Sequence, residues 1–260
     1  MSRLFDGVND QIGAAIAPIA DDSDWTMACW VRPTSAGESD QGYIIAAFSS
    51  NDVPAHFVRF NGATLTVLAA QVYSSTVATS VSIETLATSA WSLLVATHRA
   101  SDNITRIYIG TLSAAVVECT YSTQSTGVGT WAGGGDELLL GCRDSTDRTF
   151  DGRIGPSCFD NREWTVPEME NFRSGLFPAP RSTVKGFWPL MSPNVAQGED
   201  LSGNGYHLTV IGATVAENPP VAFRWGDAIP VAVGPTAAVA ELPEHHFPRG
   251  VARGLIRGVA

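Results

Sequence analysis

The residues best suited to binding a ligand lie between positions 131 and 148. Trp131 stands in a Gly-rich stretch, and Asp144, Asp147 and Arg148 follow in a polar loop between two apolar runs. An aromatic ring can pack against the apolar face of a sugar, while carboxylate and guanidinium groups hydrogen-bond its hydroxyl groups. These four residues form the candidate carbohydrate-binding site. The alternative, which is the commoner role of such a residue, is that Trp131 packs in the core or covers a sheet edge.

The motifs of well-known catalytic sites are missing from the sequence. It contains no G-x-S-x-G, no H-E-x-x-H and no phosphate-binding loop. Glu168 and Glu170 fall in a predicted helix, where acidic residues near the N-terminus stabilise the helix itself. His245 and His246 could bind a metal, but an adjacent pair in a Pro-rich tail is more typical of solvated side chains. The sequence therefore predicts a protein that is not an enzyme.

Cysteine and aspartate side chains are candidate metal ligands. Cys29, Cys119, Cys142 and Cys158 are far apart, and none belongs to a C-x-x-C pair. Each lies in or beside an apolar run, which predicts buried free thiols rather than a metal cluster. The acidic cluster at 21–24 is compatible with a calcium loop, although a solvated turn is the commoner role of such residues.

Length and charge narrow the class of protein. The chain has 260 residues, a hydrophobic content of 44% and a formal net charge of −10. That charge argues against a nucleic-acid-binding surface. No apolar run approaches the roughly 20 residues of a membrane-spanning helix. The N-terminal residues lead directly into a predicted strand without a signal peptide. We therefore expect synthesis in a cytoplasm and retention there, unless the protein leaves by lysis or a specialised route.

The elements that must position these side chains are mostly strands. Residues 25–31 alternate with apolar side chains on both faces, which is typical of a central strand packed on two sides. Further short strands recur at roughly ten-residue intervals, with a hairpin signal at Asn61-Gly62. Residues 122–135, rich in Ser, Thr and Gly, predict a long surface loop. Thr165 and Glu168 form a capping box before a short helix that Gly175 ends. This pattern predicts an all-β sandwich with one short helix.

Four segments, in order, resemble a known family. They are L-F-D-G-V-N-D-Q-I at 4–12, D-W-T-M-A-C-W-V-R-P at 24–33, W-S-L-L-V-A-T-H with I-Y-I-G at 91–110, and F-D-G-R-I at 150–154 before the short helix. Together they resemble the laminin G-like, concanavalin A-like jelly rolls of the lectin/glucanase superfamily. The resemblance implies a β-sandwich over residues 1–222. Residues 223–260 are rich in Pro and Gly and have no strong periodicity, which predicts an extended C-terminal arm.

The resemblance has consequences for metal binding and catalysis. Calcium is found in the family, and Asp6 and Asp160 lie on first and last strands expected to be neighbours. They are candidate calcium ligands, with ordinary turn carboxylates as the alternative; no other cofactor is expected. Glucanases of this fold carry an E-x-D-x-x-E strand, and this sequence has none.

The order of the last motif points to a class of function. D-L-S-G-N-G at 200–205 usually precedes the F-D-G strand, but here it follows the helix. This late order resembles tailed-phage virion proteins. It implies a non-enzymatic bacteriophage structural protein, a capsid decoration or tail-associated subunit that is located in the virion. Its expected partners are other capsid or tail proteins and further copies of itself. The arm would dock through Arg249, Arg253, Leu255, Ile256 and Arg257; a frayed terminus is the alternative.

Two other functions compete with the virion role. The first is a carbohydrate-binding adhesin that recognises host-surface glycans, and the second is a glycan-active enzyme with an unrecognised site. Neither nucleic acid nor a membrane is expected as a partner.

Overall fold

The fold was determined from a computed structural model. It describes residues 2–16, 23–48, 54–131, 137–143, 147–177, 181–190, 197–221 and 223. The chain divides into a compact unit, Met1–Ala228, and a second unit, Ile229–Ala260. Every described residue belongs to the first unit, so most of the predicted arm lies outside the described residues. Phe223, the first residue of that arm, packs against Phe172 and Phe187 of the first unit.

The first unit consists mainly of antiparallel strands. In chain order they are β1 (Ser2–Asp6), β2 (Gln11–Ala15), β3 (Trp25–Pro33), β4 (Tyr43–Phe48), β5 (Pro54–Phe60), β6 (Thr66–Gln71), β7 (Ala78–Thr85), β8 (Ser92–Arg99), β9 (Ile104–Thr111), β10 (Val117–Glu118), β11 (Tyr121–Ser125), β12 (Glu137–Leu140), β13 (Asp151–Asp160), β14 (Val184–Trp188), β15 (Gln197–Gly198), β16 (Leu208–Ile211) and β17 (Thr214–Ala216). Short 3-10 turns lie at Glu38–Asp40 and Arg181–Thr183.

These strands form two sheets. The described part of the eight-stranded sheet has the order β10-β9-β8-β3-β13-β1-β17, and β14 also pairs with β13. The nine-stranded sheet has the order β11-β7-β6-β5-β4-β12-β2-β16-β15. Apolar residues of both sheets form one buried core. The structure thus confirms the predicted β-sandwich.

Strand β3 shows why the sequence folds in this way. It lies between β13 and β8 in the eight-stranded sheet. Trp25, Met27, Cys29 and Val31 face the core between the sheets. Trp30 belongs to a second buried cluster on the outer face. A strand with apolar residues on both faces must be covered on both sides, and the prediction for residues 25–31 is confirmed.

The helix provides the cover on the outer face. Helix α1 (Val166–Arg173) begins with the predicted capping box and is followed by Gly175 at φ 84°. The Glu168 carboxylate accepts hydrogen bonds from the backbone N–H and the hydroxyl group of Thr165, at 2.7 and 2.9 Å. Met169 and Phe172 are fully buried in the outer cluster. None of the described helices is long and apolar enough to cross a membrane.

The late motif completes both sheets. Strand β16 pairs with β2 in one sheet, and β17 pairs with β1 in the other. Asp200 anchors the turn between β15 and β16, because its carboxylate accepts hydrogen bonds from the backbone N–H groups of Phe187 (3.1 Å) and Tyr206 (2.9 Å). Asn204 donates to the carbonyl of Val184 at 2.8 Å. The strands that follow the displaced motif therefore still pair with the first two strands.

Two local predictions have different outcomes. The hairpin at Asn61-Gly62 is confirmed, since β5 and β6 are antiparallel neighbours and Gly62 has φ 101°. The long surface loop predicted for residues 122–135 is wrong in its first part. Residues 121–125 form β11, which pairs with β7 at the edge of the nine-stranded sheet. An apolar alternation could not predict this strand, because its three central side chains, Ser122, Thr123 and Gln124, are polar and exposed.

All four cysteines are buried free thiols, as predicted. Burial raises the pKa of Cys29 to about 12, so this thiol is protonated and unreactive at neutral pH.

Candidate functional site

Trp131 lies at the edge of the interior and not on an open loop. It forms an isolated bridge with Tyr73 and is half-buried against the core between the sheets. Its ring stacks on His56, with centroids 5.4 Å apart and planes inclined by 16°. The indole N–H is buried without a hydrogen-bond partner among the described residues. This position agrees with the alternative role of Trp131, in which it packs in the core or covers a sheet edge.

Asp147 and Arg148 lie on a different surface. They belong to the loop between β12 and β13, which is closed by a hydrogen bond from the Arg143 N–H to the Asp147 carbonyl at 2.9 Å. The Asp147 carboxylate forms an ion pair with the guanidinium group of Arg143 and lies 4.0 Å from that of Arg148. Asp144 lies outside the described residues.

Beside this loop are aromatic residues that the sequence analysis did not select. The Arg148 carbonyl accepts a hydrogen bond from the Tyr43 N–H at 2.9 Å, at the start of β4. Tyr43 pairs with Arg59 on β5, and its ring lies 5.2 Å from that of Phe57. His56, Val58 and Phe60 face the interior, so Phe57 and Arg59 point outward. We call the set formed by Tyr43, Phe57, Arg59, Arg143, Asp147 and Arg148 the outer aromatic patch.

Small neighbours leave room around Phe57. Ala46 on β4 and Ala70 on β6 lie directly opposite it. Phe57 is half-buried and joins two small apolar clusters on this face, one with Tyr43 and one with Leu68. Methyl groups beside a phenyl ring leave more of the ring accessible than large side chains would. The patch thus combines an apolar ring with charged groups at one side.

The charges of the patch surround the Tyr43 phenol. Burial raises the pKa of Tyr43, and the positive charges of Arg59, Arg148 and Arg143 oppose this effect. Burial likewise lowers the pKa of Arg59, while Tyr43 acts in the opposite direction. At neutral pH the phenol is therefore neutral and the guanidinium group is charged. Guanidinium groups offer several N–H donors in a planar fork, which suits vicinal hydroxyl groups or carboxylates.

The predicted calcium pair is not formed. The strands of Asp6 and Asp160 are neighbours, as expected, but Asp6 pairs with Asp151 at the start of β13. Asp160 lies at the other end of that ten-residue strand, about 30 Å away at 3.3 Å per residue. The physical reason is the antiparallel register, which places Asp6 opposite Asp151 and which the sequence could not predict. Nowhere in the described ranges do three His, Cys, Asp or Glu residues form a group that could hold a metal ion.

Asp160 instead has a structural role. It is fully buried, accepts a hydrogen bond from the Trp164 indole N–H at 2.7 Å and lies 3.1 Å from the Arg162 guanidinium group. Burial raises the pKa of this carboxyl group, and these partners oppose the rise. The docking residues proposed between 249 and 257 lie outside the described residues, and so do His245 and His246.

The structure therefore separates the predicted carbohydrate site into two parts. Asp147 and Arg148 lie on the outer face of the nine-stranded sheet, whereas Trp131 stacks on a ring that faces the interior. One sequence signal could have identified Phe57 and Arg59. They alternate with His56, Val58 and Phe60 immediately before the Asn61-Gly62 turn, which places them on the opposite face of the strand.

Comparisons with known proteins agree with this architecture. A laminin G-type family model described as the concanavalin A-like lectin/glucanases superfamily matches residues 6–164. Among curated protein sequences, none matches the chain.

Solved structures share the fold at low sequence identity. A candidate carbohydrate-binding protein from Bacteroides ovatus is 13% identical with a TM-score of 0.57, and the match covers 84% of this chain and 61% of that one. The heptameric SAP-like pentraxin from Limulus polyphemus is 12% identical with a TM-score of 0.54, and the match covers 85% of this chain and 97% of that one. The LG1-3 region of the laminin α2 chain is 16% identical with a TM-score of 0.45, covering 60% and 31%.

The first two of these likenesses, whose TM-scores exceed 0.5, agree with the observed fold. The match to the family model spans more than half of the sequence, and the four motifs that suggested it lie in the same sandwich. The chain belongs to the concanavalin A-like lectin/glucanase superfamily.

Proposed function

We propose that the sandwich is a carbohydrate-binding domain without catalytic activity, and that it contacts sugars through the outer aromatic patch. The observation that carries the proposal is the position of Phe57. This half-buried ring lies between two alanines and next to a buried tyrosine that three arginines surround. Sugar-binding surfaces need an apolar ring with a few fixed polar groups beside it.

Each group would have a distinct task. The Phe57 ring would pack against the C–H face of a sugar ring. The Arg59 and Arg148 guanidinium groups would donate hydrogen bonds to hydroxyl oxygens, and the Asp147 carboxylate would accept from a hydroxyl group. Arg143 forms an ion pair with Asp147 and so holds that carboxylate in place before the ligand arrives. Groups fixed in advance reduce the entropy lost on binding.

The same arrangement argues for binding rather than cleavage. Glycoside hydrolysis needs two carboxyl groups about 5–9.5 Å apart, one on each side of the bond. Among the six described residues of the patch, Asp147 carries the one carboxylate, and it is engaged with two guanidinium groups. The expectation that the protein is not an enzyme stays a prediction, which incubation with labelled glycans and product analysis would test.

The experiment is a glycan array followed by calorimetry with any glycan that binds. The Phe57→Leu substitution keeps the apolar contact with Leu68 but removes the aromatic face. We expect binding at least tenfold weaker, because stacking on an aromatic ring is the largest contact of such a site. Leu176→Ala is the control, since Leu176 is an exposed apolar residue outside the patch. Equal affinity of Phe57→Leu and the unchanged protein would refute the proposal.

The virion role is a finer proposal that depends on the arm. It predicts that full-length protein sediments with large particles or as a homo-oligomer, and that removal of residues 249–260 abolishes this association while the sandwich stays folded. A truncated protein that still assembles would exclude docking by the arm. A monomer that binds glycans with or without the arm would favour the adhesin.

A further inference from the structure

Two arginines lie directly opposite each other on the outer face of the eight-stranded sheet. Arg32 on β3 pairs with Arg153 on β13. Their neighbours Val31 and Ile154 face the core, so both guanidinium groups point outward. Like charges directly opposite on neighbouring strands repel each other. We call these two residues the arginine pair; it needs a negative charge between its members.

Glu217 supplies that charge from the end of the described chain. One carboxylate oxygen of Glu217 forms ion pairs with both Arg32 and Arg153. The Glu217 side chain is 63% exposed, while each arginine is only 28% exposed. Arg32 is held further by a 2.8 Å hydrogen bond from its Nε to the Ser89 carbonyl. Both cations are therefore less exposed than the anion that neutralises them, and Arg32 has a second contact that does not involve this anion.

A small cavity opens beside the arginine pair. Its volume is about 120 Å³, and its lining is Leu4, Arg32, Pro33, Thr34, Ser89 and Arg153. Pockets that enclose a whole ligand are usually about 300–1,000 Å³, so this one receives a single functional group. Leu4 is 37% exposed and pairs with Arg153, which places an apolar contact beside the charges.

We propose that the arginine pair binds the carboxylate group of an acidic ligand, and that Glu217 occupies this site in the absence of the ligand. Guanidinium groups bind carboxylates through two parallel hydrogen bonds. The position of Glu217 demonstrates that a carboxylate oxygen can reach both arginines at once. Exposed ion pairs are weak, so an incoming carboxylate can displace this side chain. The site is separate from the outer aromatic patch, and the inference does not rest on carbohydrate binding there.

The ligand could carry its carboxylate on a small free acid or on a sugar. We would titrate the full-length protein at low salt with acetate, glucuronate and glucose, and follow the Nε–Hε NMR signals of Arg32 and Arg153. We expect acetate and glucuronate to shift these signals and glucose to leave them unchanged. Tighter binding of glucuronate than of acetate would identify an acidic sugar as the ligand class; equal binding would identify a simple carboxylate. A sugar bound only at Phe57 would not move these signals.

Substitutions separate the site from a general charge effect. Glu217→Gln removes the competing carboxylate and should tighten acetate binding about threefold or more, since an exposed ion pair no longer has to be broken. Arg153→Gln should abolish the shift of the Arg32 signal. Arg153→Lys keeps the positive charge but loses the planar guanidinium group with its parallel donors, so it should weaken acetate binding. Arg99→Gln is the control, because Arg99 pairs with Glu163 elsewhere and should change nothing.

The result that overturns the proposal is equally specific. One such result is that acetate and glucuronate both leave the two arginine signals unchanged; the other is that Glu217→Gln and the unchanged protein bind acetate with the same affinity. Either outcome would make Glu217 a purely structural partner of the arginine pair. Circular dichroism would first establish that each variant keeps its β-sheet content.

Discussion

The two ends of the space between the sheets are built from different chemistry. At one end, Phe150 packs against both Phe5 and Phe60, with ring centroids 6.1 Å apart for Phe5–Phe150 and 5.8 Å for Phe60–Phe150. We call this group the phenylalanine cluster. All three residues are fully buried and offer no polar side-chain atom. Their contribution to the stability of the protein comes from close packing and from the removal of apolar surface from water.

At the other end, aromatic rings are joined by hydrogen bonds. Gln71 Oε1 accepts from the Trp25 indole N–H at 2.7 Å and lies 2.8 Å from His56 Nδ1. Tyr73 and His98 lie beside them, with the Tyr73 hydroxyl 3.0 Å from His98 Nε2. We call Trp25, His56, Gln71, Tyr73 and His98 the histidine cluster. Its polar atoms have been taken out of water, so each lost partner is costly.

The difference shows that two buried clusters of the same core can be stabilised by different interactions. In the phenylalanine cluster, the free energy of unfolding should be most sensitive to a loss of side-chain volume. In the histidine cluster, it should be most sensitive to the loss of a hydrogen-bond partner or to a change of pH. Four measurements test this contrast, beginning with the largest effect.

The largest effect is expected at Phe150. Phe150→Ala should lower the free energy of unfolding by about 3–5 kcal/mol, because it removes a buried ring and leaves a cavity between Phe5 and Phe60. Urea unfolding followed by tryptophan fluorescence would measure the change. Phe150→Leu keeps most of the volume and should cost less than half as much. A loss below about 1 kcal/mol for Phe150→Ala would mean that the cluster collapses to fill the space.

The second effect concerns a hydrogen-bond acceptor rather than volume. Gln71→Leu is nearly equal in size, yet it leaves the Trp25 and His56 donors without their partner. The two unpaired groups cost about 1–3 kcal/mol each, and burial of the apolar leucine side chain offsets part of that cost, so the free energy of unfolding should fall by roughly 2–4 kcal/mol. The control is Leu68→Met on the same strand, because Leu68 is buried in a small apolar cluster on the outer face and a swap of similar volume there should cost less than about 1.5 kcal/mol. If Gln71→Leu were neutral, the hydrogen bonds would have no structural role.

These two clusters also explain what the sequence could and could not predict. Alternation within residues 25–31 predicted which side chains face inward, because that signal is local. The partners of Trp25 could not be predicted, since Gln71 is 46 positions away and pairing requires the register of several strands. The predicted calcium pair of Asp6 and Asp160 is absent for the same reason. Their strands were correctly predicted as neighbours, but the register between these strands was not predicted.

The candidate site was partly predictable. Asp147 and Arg148 stand in a polar loop between two strands, and the structure places them on an open sheet face. Trp131 was grouped with them because it is nearby in sequence and lies among glycines. Its stacking on His56 depends on β5, more than 70 positions earlier. Composition identifies a loop, but only the fold determines which face of a sheet that loop borders.

The third effect is a dependence on pH. Burial lowers the pKa of His56 to about 3, and His98 adds a smaller effect in the same direction. The unfolded chain takes up this proton near pH 6.5, whereas the folded protein does not until about pH 3. Stability is therefore complete above pH 6.5 and falls as the pH drops below it. Between pH 7 and pH 5 the loss from His56 should be about 2 kcal/mol.

Urea unfolding at pH 7, 6 and 5 would measure this slope. His56→Phe keeps a ring in place but cannot titrate, and its slope should be smaller by the contribution of His56. Phe150→Leu serves as the control, because a change in the phenylalanine cluster should lower stability without changing the slope. Identical slopes in His56→Phe and the unchanged protein would show that His56 does not control the dependence on pH.

The smallest effect compares two tryptophans of the same region. The Trp25 indole N–H donates to Gln71, while the Trp131 indole N–H has no partner among the described residues. Trp25→Phe should therefore lose a hydrogen bond as well as ring area, and Trp131→Phe only ring area.

Replacing an unpaired buried N–H also removes its desolvation penalty. We expect Trp131→Phe to be less destabilising than Trp25→Phe by about 1–2 kcal/mol. Equal losses in thermal unfolding would mean that Trp131 is held by a hydrogen bond after all. Unchanged glycan affinity in Trp131→Phe, together with weakened affinity in Phe57→Leu, would assign sugar binding to the outer face and stability to the interior.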